Sequence, residues 1–517
     1  MPFGRAAVRA TRCRPLLPSA AMKPAADFTC TLAIATLALG LVAGCGDQAS
    51  RDPRTLALTE CRLPKLPFAA QCGVLEVPEN RALPDGRRIG IAVAMLPANT
   101  LNPRPDPLFI LAGGPGQAAS QLGPFAAQLA GVRKDRDIVL VDPRGTGRSA
   151  PLECAALKPQ DSLALALDID PAESAAACAR ELAARGVDAR QYTTAAWVAD
   201  LDAVRAALGY RRINLWGGSY GTRVAQEYVR RHPDRVRSMV LDGVAPPSMR
   251  ISLDVWPTRD AALSALIDAC NAAAACRTTH PDLAATLASI QASLGSTGRE
   301  VAYADPRTGE ARTVRITYDH VLAALQPFTY SPELRALLPE VIARAAAGDF
   351  APLFATVDLV TADLAEQLNT ALHYSVTCAE DVPRVGSADA EHRLANVRTA
   401  ALARRGLAVC DVWPKGAAPA DAFVPLESSV PTLLLSGGLD PVTPPAYGDM
   451  VAKTLSNSRH VIAQGYGHIV SPHACGPQLV ASFIDDPTFA KLPKGCVEHF
   501  GASVAPALWP DRLGAPR

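Results

Sequence analysis

The sequence predicts a doubly wound α/β fold: a mostly parallel sheet with helices on both faces and a mostly helical insertion between its late strands. Three observations carry this. Short runs that are almost wholly apolar, such as Leu108-Phe109-Ile110-Leu111-Ala112 and Asp137-Ile138-Val139-Leu140-Val141-Asp142, suit strands buried on both faces. Such runs alternate with helical stretches, as parallel sheets require. From about residue 246 alanine and leucine at helical spacing take over, and core-type strands resume only at 430–436.

The elements follow in order. Residues 73–78 and 89–96 alternate or bunch as strands do, and 108–112 and 137–142 come next. A helical stretch near 197–208 leads to a strand at 212–216, a helix at 221–231 stopped by His232-Pro233, and a strand at 238–242. Strands at 430–436 and 459–463 complete the core. The chain thus divides into a leader (1–44), a polar linker (45–60), a first core part (61–245), a helical cap insertion (246–423), a second core part (424–500) and a tail (501–517). An independent tandem domain is the competing division; the return of core strands favours the insertion.

The 517 residues carry 51 basic and 50 acidic side chains, so no electrostatic footprint for nucleic acid exists. Near the N-terminus, Met22-Lys23 opens a short basic region, and an apolar run at 28–42 ends in Leu41-Val42-Ala43-Gly44-Cys45. The run is short for a membrane span and fits a secretory signal, with Met22 a better start than Met1. Its end resembles a bacterial lipobox, which implies lipidation of Cys45 and an exported protein held at the cell envelope by a lipid anchor only. An ordinary signal peptide or an uncleaved anchor, with Cys45 incidental, is the alternative.

The 13 cysteines are an odd number. Cys13 and Cys30 fall in the leader and Cys45 takes the lipid, which leaves Cys61/Cys72, Cys154/Cys178, Cys270/Cys276, Cys378/Cys410 and Cys475/Cys496. Export and an even remainder agree on disulfides, adjacent pairing being the simplest of many connectivities. Neither CxxC nor HExxH occurs, so no metal site is expected.

The chemistry centres on Gly217-Gly218-Ser219-Tyr220-Gly221, between a predicted strand and helix. A serine there sits on a strained turn that flanking glycines permit, and it needs a positioned base to become a nucleophile. His468 follows the strand at 461–463 and lies on the correct side; His460 precedes that strand and is expected at the opposite edge, and His473 competes. Asp440, after the strand at 430–436, is the orienting acid, with Asp242 its rival. The order Ser219…Asp440…His468 makes a nucleophile–acid–base triad. Oxyanion donors are expected from the Tyr220 N–H and from Gly114 in Gly113-Gly114-Pro115-Gly116. Asp142-Pro143-Arg144-Gly145-Thr146-Gly147-Arg148-Ser149 lacks the lysine of a phosphate loop and is read as a buttress. No cofactor is required.

Together GGPG, DPRGTGRS, GGSYG, GLDPVTPP and GYGH resemble the serine-peptidase branch of the α/β-hydrolases that contains prolyl and tripeptidyl aminopeptidases, most of all its secreted tripeptidyl-aminopeptidase-like members. The resemblance spans about Cys61 to Cys496 and implies cleavage of a peptide bond near a free N-terminus, beneath a cap. It carries the triad to Ser219, Asp440 and His468 and the oxyanion donors to Gly114 and Tyr220. Ala112 stands where prolyl aminopeptidases usually place histidine, and DPRG stands where many read DQRG, departures that leave the triad alone and weaken the case for strict proline specificity. An aminopeptidase needs an acid for the substrate amine, and Glu380, late in the cap, is the expected residue. A carboxylesterase acting on small esters with the same triad is the alternative enzyme, and a non-catalytic binding lipoprotein the alternative class.

Overall fold

The structure, a computed structural model, describes residues 55–158, 167 and 169–502. The predicted leader, Cys45 and most of the tail lie outside the described residues. Nine strands form one sheet in the order β1-β2-β3-β5-β4-β6-β7-β10-β11. They are β1 (Thr59–Cys61), β2 (Ala70–Pro78), β3 (Arg88–Leu96), β4 (Leu108–Leu111), β5 (Ile138–Val141), β6 (Ile213–Gly218), β7 (Val236–Asp242), β10 (Thr432–Gly437) and β11 (Ser458–Ala463). Antiparallel pairing joins β1, β2, β3 and β5; every pairing from β5 to β11 is parallel. β4, β5, β6 and β10 are buried at every position, which is why they read as unbroken apolar or small-residue runs.

After β7 the chain leaves the sheet and re-enters beside it, with Leu435 paired to Asp242. The intervening segment is less uniform than its helical composition predicts. A hairpin, β8 (Arg299–Ala304) and β9 (Ala311–Ile316), lies within it. Alternation of buried Val301 and Tyr303, and of Val314 and Ile316, with exposed neighbours was the available signal. Residues between Leu263 and Val357, hairpin included, share a core of their own. Ala371, Leu372, Val376, Cys378, Val409 and Trp413 instead join the core that holds Leu215, Tyr220 and Val224. The second half of the insertion is thus part of the wall behind the serine.

The polar linker is also shorter than expected. Leu56 is buried, Thr55 N and Leu56 N donate to the Ala207 carbonyl, and β1 begins at Thr59. The ten cysteines pair as sequence neighbours: Cys61–Cys72, Cys154–Cys178, Cys270–Cys276, Cys378–Cys410 and Cys475–Cys496. Five such bonds suit an exported chain. Among the described residues no helix is long and apolar enough to cross a membrane.

Candidate active site

β6 delivers Ser219 to a turn at φ 56°, ψ −124°, and the helix Tyr220–Arg231 starts at the next residue. Crowding explains the glycines around it. A Cβ at Gly217 would lie 2.4 Å from the Gly221 oxygen, and one at Gly221 would lie 2.2 Å from the Leu111 oxygen. The strained turn is held by its neighbours: Ser219 N donates to the Asp242 carbonyl at 2.8 Å, and Thr222 N donates to the Ser219 carbonyl at 2.8 Å. Gly113, after β4, faces the serine closely enough that a Cβ there would be 3.1 Å from Ser219 Cβ. The Tyr220 amide opens a helix, where backbone N–H groups lack intrahelical acceptors.

The loops after β10 and β11 bring Asp440 and His468 together. His468 Nδ1 is 2.8 Å from Asp440 Oδ2, and Asp440 Oδ1 accepts from Val442 N and Thr443 N at 2.8 and 2.9 Å. Thr443 Oγ1 donates to Asp440 Oδ2 at 2.9 Å. Fully buried Asp440 therefore has both oxygens held, with one aimed at the imidazole. His468 meets the serine's surroundings through Gly243, the residue after Asp242: a Cβ there would be 3.0 Å from His468 Cε1.

The rivals are placed elsewhere. Both oxygens of Asp242 accept from Val470 N, and Oδ2 also accepts from Ser471 N at 2.7 Å, so it anchors the chain beyond His468. Burial raises its pKa. His460 lies within β11, bonded to Asp449 and Ser436, and His473 packs against Tyr466. Asp142 buttresses the neighbouring loop by accepting from Ser120 N and Arg148 N, while Arg144 forms a buried pair with Asp200.

A family model described as the α/β hydrolase fold matches residues 106–472. The chain belongs to that family. Over 203 residues this hydrolase is 36% identical to a tripeptidyl aminopeptidase of Streptomyces coelicolor, a stretch covering 35% of this chain and 36% of the relative. It is 33% identical over 241 residues to serine protease Hip1 of Mycobacterium tuberculosis, covering 42% and 46%. The chain therefore matches less than half the length of either relative. A proline iminopeptidase structure from Mycobacterium smegmatis aligns over 81% of this chain and 99% of its own at 16% identity, with a TM-score of 0.40.

In this hydrolase Glu380 is not where an amine-reading acid should be. It is 3% exposed, Oε1 accepts from Thr194 N at 2.7 Å, and Oε2 accepts from Thr194 Oγ1 at 2.8 Å. Arg223 Nη1 lies 3.7 Å from it and 3.0 Å from Asp381. With its oxygens taken up inside the protein, Glu380 is a structural acid behind the elbow, linked through Thr194 to the Tyr220 hydroxyl 2.5 Å away. Its position after two apolar-rich helical stretches gave no hint that its helix would fold into the core.

Sequence reasoning missed Tyr330 and Arg335. The Tyr330 ring stands edge-on to His468 with centroids 5.9 Å apart. Buried Arg335 donates to Thr329 O at 2.7 Å and to Leu439 O at 2.9 Å, next to Asp440. Both sit in a segment whose contacts with the core have no periodic signature. Among the described residues no cluster of three His, Cys, Asp or Glu side chains could hold a metal.

Proposed function

We propose that the protein is a serine peptidase that cleaves an amide bond near a free N-terminus through an acyl-enzyme on Ser219. The observation that carries this reading is the Asp440–His468 pair at 2.8 Å beside a serine on a strained elbow. Asp440 holds the imidazole so that Nδ1 carries the proton and Nε2 is the base. His468 Nε2 takes the Ser219 proton as Oγ attacks the carbonyl carbon. The tetrahedral oxyanion accepts from Tyr220 N–H and Gly114 N–H. On collapse the C–N bond breaks and His468 returns the proton to the leaving amine. Water, deprotonated by the same imidazole, then attacks the ester carbonyl and releases the acid and the serine.

The preference for peptides over esters is supported by the motif resemblance and by the names of the partial relatives. Labelling by a fluorophosphonate, lost in Ser219→Ala, tests the nucleophile. A panel of aminoacyl, dipeptidyl and tripeptidyl amides beside short-chain esters tests the bond cut; turnover of esters alone would assign a carboxylesterase instead. Export with a lipid on Cys45 belongs to the same proposal, supported by the five disulfides. Cys45→Ser should move the protein from the membrane fraction to the soluble one.

A further inference from the structure

The loop expected to carry the Gly114 N–H has no polar side chain with which to hold itself. Gly113-Gly114-Pro115-Gly116 is three glycines and a proline, and Gly114 and Gly116 stand at φ 105° and 120°, where glycine is the residue that fits. Glycine also has the most conformational freedom to lose, so an N–H aimed from such a loop needs restraint from outside it.

That restraint comes from the insertion. Its helices Ala351–Gln367 and Thr370–Glu380 are separated by two residues, Leu368 and Asn369, and this break lies against the loop. Gln117 and Leu368 form an antiparallel bridge, Asn369 N donates to Gly116 O at 2.9 Å, and Gln117 Nε2 donates to Gln367 Oε1 at 3.3 Å. The two segments fit closely: a Cβ at Gly116 would be 2.7 Å from Asn369 O, and one at Gly114 would be 3.2 Å from Leu368 Cδ2. One turn further on, the His373 ring donates to the Pro115 carbonyl.

Asn369 is where these contacts converge. Its Oδ1 accepts from Leu372 N at 2.8 Å, capping the second helix, and its Nδ2 donates to Leu152 O at 3.2 Å. Leu152 is buried, and its own amide donates to the Gly145 carbonyl within the loop that Asp142 buttresses. The side chain thus fixes the Asn369 backbone from two sides, and that backbone fixes Gly116. An aspartate would serve the cap equally well; the bond to Leu152 needs the amide donor.

We propose that Asn369 is a positioning residue for the oxyanion site: the break in the insertion, locked by this side chain, holds the Gly113–Gly116 loop so that the Gly114 N–H points at the developing charge. The proposal rests on the serine-hydrolase part of the proposed function and not on which bond is cut, since amides and esters both pass through a tetrahedral oxyanion.

Two variants test it, with rates expressed per site titrated to completion by a fluorophosphonate so that unfolded protein does not count. Asn369→Asp keeps shape and cap but turns a carboxylate oxygen toward Leu152 O. Asn369→Ser keeps a cap, adds no charge and cannot reach Leu152. Each should lower kcat about tenfold with KM unchanged, part of the ~10²–10³ lost when an oxyanion donor is removed outright. Binding of an aldehyde that carries the substrate's acyl group, and whose adduct with Ser219 places an oxygen in the same site, should weaken by the same factor. Wild-type kcat in both variants would reduce Asn369 to a helix cap and overturn the proposal. So would an effect confined to the aspartate, which assigns it to charge, a rise in KM alone, or a fall in kcat with aldehyde affinity intact. If Ser219 in wild type takes no label and neither amide nor ester is turned over, the hydrolase reading fails and the proposal with it; a labelled, active wild type with indifferent variants overturns the proposal alone.

Discussion

Asp242 accepts the amide of Ser471 at 2.7 Å, and its own backbone carbonyl accepts the amide of Ser219 at the same end of β7. One residue thus ties the nucleophile's turn to the chain just past His468. Asp242→Ala should leave two buried amides unpaired and cost about 1–3 kcal/mol in urea unfolding. Asp242→Asn keeps an acceptor oxygen and should retain most activity. Asp440→Asn should lower kcat by ~10⁴, because it permits the wrong imidazole tautomer. Equal losses at the two positions would show that Asp242 shares the orienting role.

Thr443 should matter for kcat more than for KM. Its hydroxyl donates to Asp440 Oδ2 at 2.9 Å and lies 3.3 Å from His468 Nδ1. Thr443→Val preserves the shape and removes the donor that helps fix that oxygen. A loss of about fivefold in kcat is expected, the scale of one net hydrogen bond. Thr443→Ser should restore it. Steady-state kinetics on one substrate reads both, and an unchanged kcat in the valine variant would count against the hydroxyl.

Most of the catalytic architecture is legible in the sequence because its causes are local. GGSYG reads as an elbow since the glycines answer contacts as short as 2.2 Å with the adjacent strand. The strand before Asp440 is a fully buried run, and the one before His468 ends in alternating buried positions, Val461 and Ala463, so the ends of both announce the loops. Adjacent cysteines pair across short sequence separations, from 6 residues for Cys270–Cys276 to 32 for Cys378–Cys410, which joins two helices. Glu380, Arg335 and Tyr330 are different. Their roles come from where a long insertion lands on the core, and helical spacing states which residues share a face, not which face meets Thr194 or Leu439. The alternation in β8 and β9 is present but short, within an alanine-rich helical background.

Burial pushes the Glu380 carboxyl from its ordinary 4.5 up to about 7, against the pull of Arg223 and the Thr194 bonds. The folded chain holds this proton through a range in which the unfolded chain has lost it. The contribution to stability is therefore complete below about 4.5 and is lost as pH rises toward 7. It amounts to at most about 3 kcal/mol. Glu380→Gln removes the titration, so the variant's urea stability should gain on wild type across that window. A constant difference between the two proteins from acid to neutral pH would refute the assignment.

Arg335 is expected to act as a positioning residue between the insertion and the catalytic loops. Its guanidinium donates to Thr329 O and Leu439 O, and a Cβ at Gly467, the residue before His468, would lie 2.6 Å from its Nη2. The side chain thus fixes the approach to Asp440 while packing against that to His468. Arg335→Met keeps comparable bulk but leaves the carbonyls without their donor. It should lower kcat about tenfold and unfolding stability by about 1–3 kcal/mol. Arg335→Lys, with a single ammonium in place of the fork, should recover only part of either. The distinguishing readout is the rate of fluorophosphonate labelling at Ser219. If Arg335 positions the triad, labelling slows in parallel with kcat in folded Arg335→Met, whereas a purely structural role would leave it at the wild-type rate below the unfolding transition.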